Sequence, residues 1–269
     1  RSTLFPYTTL FRSTNRAYNK TLPLRAAYPS YTFLPLDIWY DIALRIAEAE
    51  GLELLPVLAD MFFAGTWQYS KGVYTFDPDL LLALSESAID GNIPADILTR
   101  IPEHCVYIDA CGGFFAQLLY DPDLHCPLLG LYGAEQVVFV PLIHGPLDEA
   151  LDKYRKLPRF QNDEDIIGKF TDEIAAQERD FAEKCLNLIL YLCSSEPDIT
   201  TDRQPGYSRY RSEPVKTKKG LRLFPADRVH NHNVGASVGA QLRRVTDAGA
   251  EVAPVGRSEE RRVGKECRS

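Results

Sequence analysis

The sequence predicts an α+β fold, a central antiparallel sheet packed with helices. Between about residues 104 and 141, four short β-branched or aromatic runs are broken by Gly, Pro and Asp at the spacing of a meander. On either side lie segments with apolar residues at helical intervals, the longest within Asp163–Cys193. Strands gathered in the middle, with helical segments before and after them, fit α+β better than an alternating βαβ order.

Taken in chain order, residues 14–35 are rich in Tyr, Pro and Thr without a period and read as an extended lead-in. Leu36–Glu50 places apolar residues at 38, 42, 46 and 49, a helix that Gly51 stops. Leu54–Phe63 reads as a second short helix and Val73–Phe76 as a brief strand. Asp77 is the expected cap of a helix through Leu84, with Pro78 at its first position. Ile93–Arg100 repeats the pattern around Pro94. The meander strands are His104–Ala110, Phe114–Tyr120, Pro127–Tyr132 and Gln136–Pro141, with Gly112-Gly113 turning the first hairpin. Leu147–Leu157 is helical, and the long pattern to Cys193 has a charged first half and an apolar second half. Residues 197–220 are polar and Arg/Lys-rich, and read as a loop. Leu221–Phe224 is a candidate strand, and Val234–Val245 a last helix with Gly235 and Gly239.

The composition excludes several classes. With 269 residues, 45% hydrophobic, 25% charged and a net charge of −7, the chain is neither a disordered tail nor a disulfide scaffold. Its longest apolar stretches, such as Leu186–Leu192, are too short to span a membrane. Six cysteines in a chain of this length point to a reducing, cytoplasmic setting. The two ends stand apart. Residues 1–13 (RSTLFPYTTLFRS) and 257–269 (RSEERRVGKECRS) can be encoded by opposite strands of one DNA duplex that looks like a sequencing adapter. We therefore read both ends as translated adapter, and residues 14–256 as one α+β domain truncated at both ends. The ends carry seven of the 30 basic and three of the 37 acidic residues, which leaves 23 and 34, a net charge of −11, for the interior.

No phosphate-loop, dinucleotide, nucleophile-elbow or zinc-protease motif occurs, so no catalytic residue, cofactor or nucleotide is assigned. His104-Cys105 and His125-Cys126 are adjacent pairs whose members point to opposite faces of a strand, which argues against a metal site. Cys185 and Cys193 lie two helical turns apart on an apolar face and read as core. His230-Asn-His232-Asn reads as a polar loop capping the last helix, and Asp77-Pro-Asp79 as a cap. Glu196-Pro-Asp198 follows a helix C-terminus, where carboxylates oppose the dipole; that conflict marks a candidate site. Lys216, Lys218, Lys219 and Arg222, with Arg209 and Arg211, form the one basic cluster, interleaved with Tyr207 and Tyr210. These six cations are candidate RNA contacts, set against the plainer reading of a solvated loop.

Ordered blocks carry a resemblance. They are Gly65-Thr-Trp67, Lys71-Gly-Val-Tyr-Thr-Phe-Asp77, Asp90-Gly-Asn-Ile-Pro94 and Arg100-Ile-Pro-Glu-His-Cys-Val-Tyr-Ile-Asp109, then Gly113-Phe-Phe-Ala-Gln117, Leu190–Thr200 and Lys219–Pro225. Through most of residues 36–246 the chain resembles the type V-A anti-CRISPR family, whose members lower the transcript of the single-protein effector nuclease. The resemblance implies recognition of the effector's nascent amino-terminal peptide, with the ribosome or the mRNA as further partners, and destruction of the message. The family has Trp where His104 stands, and continues past the position of Gly256 into a basic tail. Trp67, Tyr74, Tyr107, Asp109, Glu196 and Asp198 are the candidate peptide-binding residues, chosen as aromatic or acidic groups suited to a cationic extended peptide. Two alternatives stand beside this reading. One is an RNase using Glu196, Asp198 or the His230/His232 pair as acid and base. The other is a plasmid or phage interaction protein that binds a different peptide.

Overall fold

The computed structural model describes residues 60–89, 91–121, 123–133, 136–157, 171–202, 215–218, 220–222, 226 and 228–247, with residues 44, 45, 48 and 51. The lead-in 14–35, both end segments read as adapter, and Tyr207, Arg209, Tyr210, Arg211 and Lys219 lie outside the described residues, as do most of Leu36–Glu50 and residues 54–59. Leu44, Arg45 and Glu48 are helical, and Gly51 turns with φ +65°.

A seven-stranded sheet organises the chain. Its strands are β1 (Gly72–Phe76), β2 (Cys105–Ile108), β3 (Phe114–Asp121), β4 (Cys126–Tyr132), β5 (Val137–Pro141), β6 (Ile199–Thr201) and β9 (His230–Val234), in the order β5-β4-β3-β2-β1-β9-β6. The expected meander is β2 to β5, antiparallel throughout. Its first hairpin turns through Cys111, Gly112 and Gly113, all at positive φ. A Cβ on Gly113 would strike the Tyr107 hydroxyl, so only glycine fits. The second hairpin is held by Asp121, whose carboxylate accepts the N–H groups of Asp123 and Leu124.

Beyond β2 the sheet changes character. β1 runs parallel to both β2 and β9, and β6 closes the edge antiparallel to β9. A separate two-stranded ribbon pairs β7 (Val215–Thr217) with β8 (Gly220–Arg222), at the position of the expected strand Leu221–Phe224.

Among the described residues, five helices pack against one face: α1 (Pro78–Ser85), α2 (Ala95–Leu98), α3 (Leu147–Arg155), α4 (Asp172–Cys193) and α5 (Ala236–Asp247). Asp77 caps α1 by accepting the Asp79 N–H, with Pro78 in the first turn, as its sequence dictates. Thr171 caps α4 in the same way. The apolar half of α4 buries Phe181, Cys185, Leu186, Leu188, Ile189, Leu192 and Cys193 against Val106, Ile108, Phe114, Ala116 and Leu131 of the sheet. Each such fully buried side chain contributes about 1.5–3 kcal/mol. Two polar side chains of α4 fasten the chain that leaves α1: Asn187 donates to the Ser87 carbonyl, and Glu183 accepts the Ile89 N–H.

On the opposite face, a π-helical turn (Asp60–Ala64) and a short helical turn (Gly65–Trp67) cover the meander. Phe63 stacks on Tyr132, and Trp67 meets Tyr107 and Phe115 edge-on. Phe139 and Tyr154 continue the series at the far end.

Three expectations are corrected. Residues 197–220 are not simply a loop, since they hold β6 and β7, and the last helix starts at Ala236 because Val234 still belongs to β9. His230–Asn233 is not a capping loop but the body of β9, paired on both sides. Histidine and asparagine are weak strand formers, and a local reading finds no strand there; two hydrogen-bonded neighbours supply what propensity withholds.

Candidate functional site

β9 carries polar residues on both faces, and the two faces differ. On the helix-covered face, His232 is buried and stacks on Tyr74, its partner across β1, with ring centroids 4.4 Å apart. Its Nε2 lies 3.7 Å from an oxygen of the equally buried Glu103. The Glu103 carboxylate occupies the space over Gly72, where a Cβ would come within 2.8 Å of the carboxyl carbon. Nearby, Trp67 donates its indole N–H to the Gly72 carbonyl at 2.7 Å. Desolvation, reinforced by Glu103, pushes the Cys105 thiol well above its usual value, so this cysteine is inert. A carboxylate, an imidazole and a phenol thus meet where three parallel strands begin, packed inside rather than presented to solvent.

The other face is open. Strand register aligns Thr75 with Asn233 and Asn233 with Thr200, and all three are exposed. Asp109, one residue past β2 with its N–H donated to the Tyr74 carbonyl, is exposed and extends that row. The row beside it runs from the largely buried Tyr107 through Val73 to Asn231, which donates to the Asp202 carboxylate at 3.2 Å. One row of polar side chains, Asp109, Thr75, Asn233 and Thr200, therefore crosses the sheet, flanked by a mixed row of Tyr107, Val73 and Asn231, with a carboxylate at diagonally opposite corners. The alternation of Asn231 and Asn233 is legible in the sequence once the segment is known to be a strand.

The residues singled out from the sequence fall into three places. Trp67, Tyr74 and Tyr107 are 2%, 3% and 8% exposed, so they pack within the protein and do not line a cleft. Asp109 stands on the open face, and Glu196 is exposed at the entrance to β6. Asp198 has a structural partner, because its carboxylate accepts the N–H groups of Ser237 and Val238 at the start of α5. The acidic residue that opposes the dipole of α4 thereby satisfies the N-terminus of another helix. Asp198 sits beside the Val234 end of β9, while His232 pairs with Thr201 and faces the covered side. Of the RNase alternative's candidates, His230 and His232 are thus strand residues of β9, Asp198 holds the start of α5, and Glu196 is exposed before β6. Among the basic cluster, Lys218 is exposed at the end of β7, and the backbones of Lys216 and Arg222 lie in the ribbon.

Among the described residues no group of three or more His, Cys, Asp or Glu is placed to hold a metal ion. Cys185 and Cys193 are buried in the core; burial pushes the Cys193 thiol up to about 12. No described helix is long and apolar enough to cross a membrane.

Comparisons with known proteins agree with this architecture. The crystal structure of AcrVA2 superimposes with a TM-score of 0.60 at 19% identity, over 90% of this chain and 86% of that one, which shows a shared fold. Protein FinQ of Escherichia coli is 21% identical over 216 residues, 66% of this chain; the chain spans 59% of that relative's length. The AcrVA2-like family, described as anti-CRISPR type V subtype A2, matches residues 74–262. The chain therefore belongs to the anti-CRISPR type V subtype A2 family.

Proposed function

We propose that this protein is an anti-CRISPR factor that recognises the amino-terminal peptide of a type V-A effector as it emerges from the ribosome and brings about loss of the effector's mRNA. The family match over residues 74–262 carries the reading. The open face of β1, β9 and β6 supports it, since its outer row is polar, its corners are acidic and neither row carries a basic group. Such a surface attracts a cationic or N–H-rich peptide and repels a phosphate backbone. In this scheme the protein is a recognition module, and cleavage of the message falls to another nuclease.

A second contact, with the mRNA or ribosomal RNA, falls to the basic cluster of the sequence, Lys216, Lys218, Lys219 and Arg222. Arg209 and Arg211 precede it in sequence and add to its charge.

The test uses a translation extract programmed with effector mRNA. Added protein lowers the message only when the amino-terminal codons are translated, and synonymous recoding of those codons leaves the effect intact. Loss of an untranslated message at the same rate would sink the peptide reading in favour of direct RNA cleavage.

A further inference from the structure

We infer that the two rows on the open face are the seat of the peptide, which binds extended and diagonally from Asp109 to Asp202 across β1 and β9. The inference rests on the peptide-recognition reading above and adds the site and its chemistry.

Three observations carry it. First, the exposed residues are those that serve a backbone ligand. Asn233 offers an amide with donor and acceptor and Thr75 a hydroxyl, while Asn231 and Thr200 keep acceptor capacity beside their own bonds to Asp202 and to the Asn233 carbonyl. Folding asks for neither Asn233 nor Thr75 in the middle of a sheet, where asparagine is a poor choice. Second, the geometry suits an extended chain. Strands spaced by ~4.8 Å set the residues of one row about 15 Å apart from end to end, the reach of roughly five extended residues. Third, the charge is one-sided. Asp109 and Asp202 stand at opposite corners, and neither row holds a cation. The occupant is therefore an extended peptide with basic side chains at its two ends. Tyr107, packed on Trp67 and Phe115, forms the firm border beside Val73. A nucleic acid would meet two carboxylates and, within the two rows, no counter-charge.

The experiment measures binding of a fluorescent peptide, the amino-terminal segment of a type V-A effector, to the full chain by anisotropy. Asn233→Ala, Asp109→Lys and Asp202→Lys are each expected to weaken binding about tenfold or more while the thermal melt is unchanged. Added salt weakens wild-type binding, and less so once the peptide's Lys and Arg are replaced by Gln. Asp109→Asn and the Gln-substituted peptide combine non-additively if the carboxylate meets a peptide cation. Should Asn233→Ala itself lower the melt, Thr75→Ala takes its place as the reporter. Three results would overturn the inference. If all variants bind as the wild type does, the seat is elsewhere and the peptide reading stands. If the wild type binds no peptide at tens of micromolar, both readings fall. If an RNA oligonucleotide or a second copy of the chain binds and is lost with the same substitutions, the occupant has been misidentified.

Discussion

The two halves of the sheet obey different rules. From β2 to β5 the strands are antiparallel and consecutive, covered by helices on one face and by aromatic rings on the other. From β1 to β6 they are assembled from distant parts of the chain, and one face is left open and polar. The first half is built to be stable, since its strands bury apolar side chains on both faces. The second half gives up packing on its outer face, and that concession is where recognition has room to act. The contrast is sharpest at β9, where His232 is enclosed while Asn231 and Asn233 meet solvent.

The largest effect is expected in the closed half. Phe114 is fully buried on β3 and packs edge-on against Phe181 of α4, with ring centroids 6.0 Å apart. Phe114→Ala empties that contact and should cost about 3–5 kcal/mol, read as a shift of the urea midpoint at constant slope. A loss below about 1 kcal/mol would mean that the meander is not the stable half, and would break the comparison.

That asymmetry also decides what the sequence discloses. The meander is legible because each strand pairs with the next in sequence, so alternation and turn residues suffice. The caps are legible for the same local reason: Asp77 and Pro78 announce α1 without help from distant residues. The parallel half is not. β9 is a strand only because β1 and β6, separated from it by more than 150 and about 30 residues respectively, supply its hydrogen bonds. Reading His230–Asn233 locally gives a polar loop, and the open face vanishes with the strand. Asp198 shows the same limit. Its conflict with the dipole of α4 is visible in the sequence, but the partner that resolves it lies 39 residues away at Ser237. Of the candidate peptide residues, Asp109 reached the surface that the structure leaves open. The aromatic ones are legible only by residue type, and type alone does not separate a binding ring from a core ring.

Two substitutions probe how the second half is held together. Gly235 turns from β9 into α5 at φ +78°, and a Cβ there would run into Leu80 of α1. Gly235→Ala should cost about 1–3 kcal/mol through backbone strain and overpacking together. Asp198→Ala should cost less, about 1–2 kcal/mol, the loss of one helix cap, with Asp198→Asn recovering most of it. Both are read from thermal denaturation. Because Asp198 ties the entrance of β6 to α5, its loss should also quicken amide exchange in β6 and in the first turn of α5 while β3 and β4 stay protected. Equal acceleration in β3 would show that the halves unfold as one unit.

The smallest effect is the most discriminating. Thr75 and Ala116 sit on neighbouring parts of the same sheet, Thr75 exposed on the open face and Ala116 wholly buried beneath the helices. Both can be changed to valine, a good strand former. Ala116→Val pushes two methyl groups into a filled core and should destabilise by about 1–3 kcal/mol. Thr75→Val replaces a hydroxyl by a methyl in open solvent and should change stability by no more than about 0.5 kcal/mol, in either direction. Folding alone therefore gives no reason to hold threonine rather than valine at this position. If Thr75→Val is neutral in the melt yet weakens peptide binding, the hydroxyl serves the ligand, and the open face is a surface kept polar for recognition. If Thr75→Val destabilises as much as Ala116→Val does, the face is packed in solution, and the difference between the two halves disappears.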